Sequence, residues 1–266
     1  MDKINWQTTE AAIWLGGDRG FKIARRLDPI LLDNLLNIEA QKTALLTNTD
    51  AFLSGKASNH ALLWGQRGCG KSSLIKAVFN ALKGRGLRLV EVDRDRLAEL
   101  PLIADLIEGE PFRFVIFCDD LSFEANESGY KGLKRVLEGS IELPPENLRL
   151  YATSNRRHLV SESASDNDGA IVAGERGELH YADIVEEKLS LSDRFGLVLS
   201  FYGGDLEGFL RAAEAHFAER IAALSGDDRE KFVELLRVEA KRYTALRASR
   251  SGRTAKQFAA YFETFF

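Results

Sequence analysis

The sequence predicts an α/β fold in which a parallel five-stranded sheet is flanked by helices and followed by a small C-terminal helical lid. Three observations predict it. Short apolar segments rich in Val, Ile, Phe and Tyr alternate with segments of helical periodicity. A glycine-rich loop separates one such strand from the helix after it. Beyond the Gly203-Gly204 pair the periodicity is helical only.

Residues 1–28 are polar and irregular apart from Trp6, Ile13 and Trp14, and are expected to form an accessory arm. The first clear element is expected between Leu27 and Ile38, where leucines crowd behind Pro29. Ala61 to Trp64 is short and apolar, as a strand should be. Leu74, Ile75, Val78, Phe79 and Leu82 share one face at a period of about 3.6, so Ser72 to Lys83 is helical, with Gly84 and Gly86 ending it. Leu87 to Val92 is strand-like. Phe112 to Cys118 and Leu148 to Ala152 are too short and too β-rich for helices and are expected as buried parallel strands. Tyr130, Leu133, Val136 and Leu137 mark a helix between them, and Leu197 to Phe201 supplies the fifth strand. Residues 29–203 thus form the α/β domain. In the lid, 204–266, one stripe runs from Leu206 to Ile221, a second from Phe232 to Leu246 and a third from Phe258 to Phe265. The polar stretch 161–180 is longer than an ordinary connection; it is either a disordered insertion or a loop that touches a partner.

Composition narrows the function classes. With 45% hydrophobic and 29% charged residues, the 266-residue chain is not disordered, collagenous or coiled-coil. Lysine and arginine total 36 against 40 acids, so no global basic field draws the chain to nucleic acid or to a lipid surface. The N-terminal residues lack a leader pattern and no run of about 18 apolar residues occurs, so a cytoplasmic protein with no membrane partner is expected. Cys69 and Cys118 cannot build a disulfide framework, and His60, His158, His180 and His216 lack zinc spacing, so free thiols and no structural metal are expected.

The residues Gly65-Gln66-Arg67-Gly68-Cys69-Gly70-Lys71-Ser72 fit the pattern GxxxxGK[ST] between a strand and an amphipathic helix, which is the P-loop NTPase arrangement. The glycines let successive N–H groups point inward, and the helix adds its N-terminal donors, making a cradle for polyphosphate. Lys71 then neutralises the outer phosphates and the Ser72 hydroxyl binds magnesium. The strand ending in Asp119-Asp120 supplies a carboxylate for the metal, Asp119, and one that polarises the attacking water, Asp120. The alternative is a strand that exits to solvent through two acids. Asn155 ends a strand expected between the other two, where it can hydrogen-bond a γ phosphate or the lytic water. Arg194 precedes the last strand, and spacing alone assigns it no role.

The ordered set WGQRGCGKS, FCDDLSF, YATSN, SDRFG and SGRTAKQF resembles the AAA+ ATPase superfamily over about residues 27 to 266. More narrowly, LDPILLDNLLNIEAQK, FCDDLSFE and YATSNRRHL with VEEKLSLSDRFGL are similar to a bacterial AAA+ family of unassigned role, filed under a domain of unknown function. The resemblance implies that Leu35 to Ile38 pack near adenine and that Gly65 to Ser73 wrap the triphosphate, bringing Ile38 and Ser73 into the binding set. It further implies that Asp119 and Asp120 are the Walker B pair, Asn155 the first sensor, Arg194 the finger reaching a neighbouring subunit's γ phosphate, and Arg253 the second sensor on the lid. One position departs from the pattern: most AAA+ proteins carry glutamate where this chain has Asp120. The shorter arm works through an intervening water or yields the role to Glu124, and turnover is correspondingly slow. Arg156 and Arg157 compete with Arg194 for the finger role.

The expected function is therefore an ATP- and Mg2+-dependent ATPase, assembling as an ATP-dependent homo-oligomer with a hexamer as the candidate ring, that remodels an unidentified protein or nucleic-acid client. A nucleotide-gated binding module resembling helicase loaders, with little turnover, is the alternative; a P-loop kinase fits less well, because here the helices follow the last strand. Between Arg237 and Lys256 seven cations face one acid, Glu239, a local basic field that is either a solvated helical face or a client-binding strip.

Overall fold

The computed structural model describes residues 4–121, 128–139, 143–155 and 193–266. The stretch 161–180 lies outside them. All five expected strands are present: β3 (Ala61–Gly65), β4 (Leu87–Glu91), β5 (Arg113–Cys118), β6 (Leu148–Ser154) and β7 (Leu197–Phe201). The sheet nonetheless has seven strands, because the arm expected to be irregular contributes β1 (Ala11–Trp14) and β2 (Phe21–Ile23). The strand order is β2-β1-β4-β5-β6-β3-β7, parallel throughout except for the β1–β2 hairpin. A run of four residues, AAIW, is too short to carry a clear strand signal by itself. They are held because β1 lies beside β4 and buries Ala11, Ala12 and Trp14.

The period of two along each strand divides the sheet into two cores. Phe114, Ile116 and Cys118 of β5 enter one, with residues of α3 (Leu100–Ile107) and α4 (Ser128–Glu138). Val115 and Phe117 enter the other, with α1 (Glu39–Leu53) and α2 (Lys71–Leu82). The α2 stripe of Leu74, Ile75, Val78, Phe79 and Leu82 is buried, each side chain contributing about 2 kcal/mol of transfer free energy. The leucine-rich run at 27–38 forms only a 3-10 turn, Leu32–Asn34, and the helix starts at Glu39. Leu35 is buried in the second core, and Leu27, Ile30, Leu32 and Ile38 pack against it as an irregular wrap, while Leu31 and Leu36 stay exposed.

The lid is α5 (Leu206–Ala215), α6 (Ala218–Ala223), α7 (Gly226–Arg247) and α8 (Gly252–Phe265). The first expected stripe breaks at His216-Phe217 into two helices. Asp205 caps α5 by accepting from Gly208 N at 2.7 Å, and Ser251 caps α8 by accepting from Thr254 N at 3.2 Å. Phe209, Phe217, Phe258 and Phe262 centre a third core of the lid's own. Among the described residues no helix is long and apolar enough to cross a membrane.

Candidate nucleotide-binding site

The chain leaves β3 for β4, three places away on one side, while β7 closes against β3 on the other. In open parallel sheets, ligands collect in the crevice at the carboxyl end of the strand where the order reverses. Here that strand is β3, and residues 65–70 are the loop leaving it. Gly70 is the left-handed N-cap of α2, so the helix begins at Lys71 with its dipole and open N–H groups toward the loop.

Lys71 is 6% exposed. Its ammonium donates to Gly65 O at 2.8 Å, Gln66 O at 2.7 Å and Asn155 Oδ1 at 3.1 Å, which matches its three donors. Burial pulls its pKa below the usual lysine range, with the Arg253 charge acting the same way; Cys69, Asp119 and Asp120 oppose them. An ammonium so desolvated gains more than an exposed one from an added anion.

The order β5-β6-β3 places β6, which ends beside Asn155, between the loop strand and the strand that ends in Asp119 and Asp120. Ser72 Oγ donates to Asp119 Oδ1 at 2.6 Å, and Thr153 Oγ1 donates to the same oxygen at 2.5 Å. Thr153 also accepts from Asp120 N at 2.9 Å, so one hydroxyl fixes both acids. Asp120 adopts a left-handed φ of 55°, uncommon outside glycine. Its carboxylate accepts from Asn155 Nδ2 at 2.5 Å and lies 4.0 Å from the Arg67 guanidinium. A cavity of about 640 Å³ opens beside these acids, lined also by Asp93, Arg94, Arg96 and Glu99. It lies toward β4, to one side of Lys71.

The lid meets the loop at Gly68. Arg253 N donates to Gly68 O at 3.4 Å, and a Cβ on Gly68 would stand 2.6 Å from Ser251 Oγ and 3.2 Å from Arg253 Cβ. With φ at +78° as well, only glycine fits there. On the other side, Ile38 Cδ1 lies 3.6 Å from where a Gly70 Cβ would be, and Leu35 Cδ2 at 4.0 Å. Asn37 joins this apolar wall to the lid, donating to Gly208 O at 3.2 Å and accepting from Arg211 at 3.0 Å.

The structure thus gathers Gly65 through Ser73, Asp119, Asp120, Asn155, Ile38 and Arg253 around one crevice. Arg194 is elsewhere. Leu197 pairs with Ala61 at the amino end of β3, so Arg194 sits at the opposite end of a strand roughly 15 Å long, where its Nε donates to Glu138. Glu124, Arg156 and Arg157 lie outside the described residues. Cys118 is buried, its thiol pushed up to about 12 first by burial and then by Asp119; burial also raises Cys69 against the pull of Lys71. Neither is an activated thiolate. In the lid, Arg237 donates to Glu214 at 2.5 Å and Arg242 to Glu239 at 2.6 Å, so part of the basic field is neutralised internally. Sequence reading missed Thr153, Asn37 and Ser251. Thr153 was findable: it stands two residues before Asn155 and so shares its face of the strand.

Magnesium fits the oxygen donors of this site. Ser72 Oγ and Asp119 Oδ1 are adjacent hard oxygens from loop and strand. That matches a cation that takes one carboxylate and completes its shell with phosphate and water.

Sheet order, glycine-rich loop and C-terminal helical lid together are those of the AAA+ fold. A point variant of RuvB from Thermotoga maritima superposes with a TM-score of 0.54 at 16% identity, over 85% of this chain and 62% of that one. PCH-2 from C. elegans gives 0.56 at 16% identity, over 88% and 65%, and a DNA replication initiation factor gives 0.52 at 15%, over 90% and 65%. The chain therefore spans less than two thirds of each of these proteins. It belongs to the family described as protein of unknown function DUF815, which matches residues 7–264. No curated protein matches it.

Proposed function

We propose that the chain is a cytoplasmic, magnesium-dependent ATPase that couples ATP binding and hydrolysis to the remodelling or assembly of another macromolecule. In this reading residues 29–203 bind nucleotide, 204–266 are the lid, and 1–28 are an accessory arm whose strands extend the sheet. The observation that carries it is the hydrogen-bonded chain from Ser72 through Asp119 and Thr153 to Asp120, Asn155 and Lys71 at the carboxyl ends of three adjacent strands.

The loop amides of residues 65–73 hold the triphosphate and Lys71 exchanges one of its acceptors for a phosphate oxygen. Ile38 and Leu35 receive the adenine. Magnesium, held by Ser72 and Asp119, would supply charge neutralisation between the outer phosphates. Asp120 takes the proton of the attacking water while Asn155 orients that water or the γ phosphate. Arg253 reaches the phosphates from the lid, and Arg194 serves a neighbouring copy, which makes the active species a homo-oligomer. RuvB, PCH-2 and the initiation factor share only the fold, so the client's identity is not carried over.

Calorimetry with ATP and magnesium, together with phosphate release and sizing with and without ATP, tests this. Binding that Lys71→Ala weakens roughly 100-fold, turnover that Asp120→Asn abolishes, and ATP-dependent growth in size support it; a chain that binds no ATP sinks it. The second reading, a nucleotide-gated binding module, is favoured by the state of Asp120, short-armed and already engaged by Asn155 and Arg67. Turnover near zero with ATP-dependent, salt-sensitive retention of DNA would select it.

A further inference from the structure

We propose that Glu138 is the positioning residue for Arg194, holding its guanidinium in the orientation in which a second copy of the chain takes it up. This rests on the reading of Arg194 as a residue that acts across an interface.

The two side chains are 56 positions apart in sequence and meet where α4 ends and β7 is about to begin. Glu138 Oε1 accepts from Arg194 Nε, the guanidinium nitrogen nearest the chain. The side chains are 18% exposed for Arg194 and 38% for Glu138, a pair at the surface and not in the core. Such pairs contribute little to folding stability. What this one does is fix a long, rotamer-rich side chain before any partner arrives, which lowers the ordering cost of the encounter.

Glu138 is itself fixed. A Cβ on Gly132, two turns earlier, would lie 2.2 Å from Leu97 O and 2.7 Å from Ala98 Cα, so α4 rests backbone to backbone on the turn Arg94–Glu99. That turn lines the cavity beside Asp119 and Asp120. Glu99 anchors it by accepting from Trp14 Nε1 and Gly17 N, each at 2.8 Å. A path of helix and turn therefore runs from the wall of the chain's own site to the contact between Glu138 and Arg194.

The test uses the full chain. Glu138→Ala is expected to lower ATP turnover roughly 10-fold with nucleotide affinity and melting temperature unchanged, and Glu138→Gln, which keeps an acceptor for Nε, is expected to recover most of the rate. In an Arg194→Ala background Glu138→Ala should have no further effect. A mixture of Lys71→Ala, as arginine donor, and Arg194→Ala, as nucleotide holder, should regain turnover, and regain far less when the donor also carries Glu138→Ala. If Arg194→Ala is inactive but Glu138→Ala is fully active, the positioning role is overturned while the finger stands. Full turnover by Arg194→Ala removes the finger and this inference with it. Additive losses in the double variant would make Glu138 a structural residue only.

Discussion

The sheet and the lid are built from different materials. The sheet's two cores are mostly aliphatic and close on α1 through α4, whereas the lid's core is a lattice of phenylalanines with Tyr243, edge to face or tilted, at centroid distances such as 5.3 Å for Phe217–Phe262 and 5.6 Å for Phe258–Tyr243. The buried clusters do not merge. Between them run polar contacts: Asn37 with Gly208 and Arg211, and Arg253 N with Gly68 O. Hydrophobic burial is strong and undirected, while such hydrogen bonds are net weak and specific. The difference teaches that each part holds its own shape and that their relative placement rests on a few bonds, gathered around the phosphate loop.

The largest test of that independence is in the lid. Phe258→Ala removes a fully buried ring and should cost about 3–5 kcal/mol. Hydrogen exchange should show the loss in α5 through α8 with the sheet amides still protected; loss across the whole chain would make the two parts one cooperative unit. Next comes Lys71→Ala, expected to weaken ATP binding roughly 100-fold, about 3 kcal/mol, by calorimetry. The sheet side thus carries the larger share of binding if Arg253→Ala costs only about 10-fold; equal losses would make lid and loop equal partners. Gly68→Ala strains a left-handed position and drives a methyl into Ser251, and should loosen the lid seam by about 1–2 kcal/mol, seen as a lower melting temperature with a larger effect on lid amides.

A further effect is set by pH and belongs to the sheet. His60 Nδ1 accepts from Leu150 N at 2.9 Å, and burial first, then Arg149, lower its pKa from 6.5 to about 4. Between those values the unfolded chain binds the proton and the folded one does not. Stability to urea should therefore fall as pH drops from 6.5 toward about 4 and be insensitive to this group above 6.5. His60→Gln should flatten that slope.

Much of this was legible in the sequence where one local rule governed one element. The loop needs glycines and a lysine at fixed spacing, and buried parallel strands need continuous apolar runs, so the loop between strand and helix and all five expected strands could be read off. What escaped depended on distant partners. Ala11–Trp14 is a strand because β4 offers an edge, and the leucines before Ile38 are irregular because the core beneath them is already walled by α1 and α2. α3, eight residues with Pro101 in its first turn, was too short for a periodic signal. That Arg194 stands beside Glu138 and not beside Lys71 follows from strand register, which no spacing in the chain reveals.

The hairpin at the amino terminus settles how the sheet ends. A parallel sheet stopping at β4 would present a row of open backbone groups to any passing chain. Instead the row terminates in β2, an antiparallel strand of three residues bearing Lys22 and largely open to water, too brief to template another. Cut away at residue 23, the remainder should precipitate on standing, through the flank of β4 laid bare.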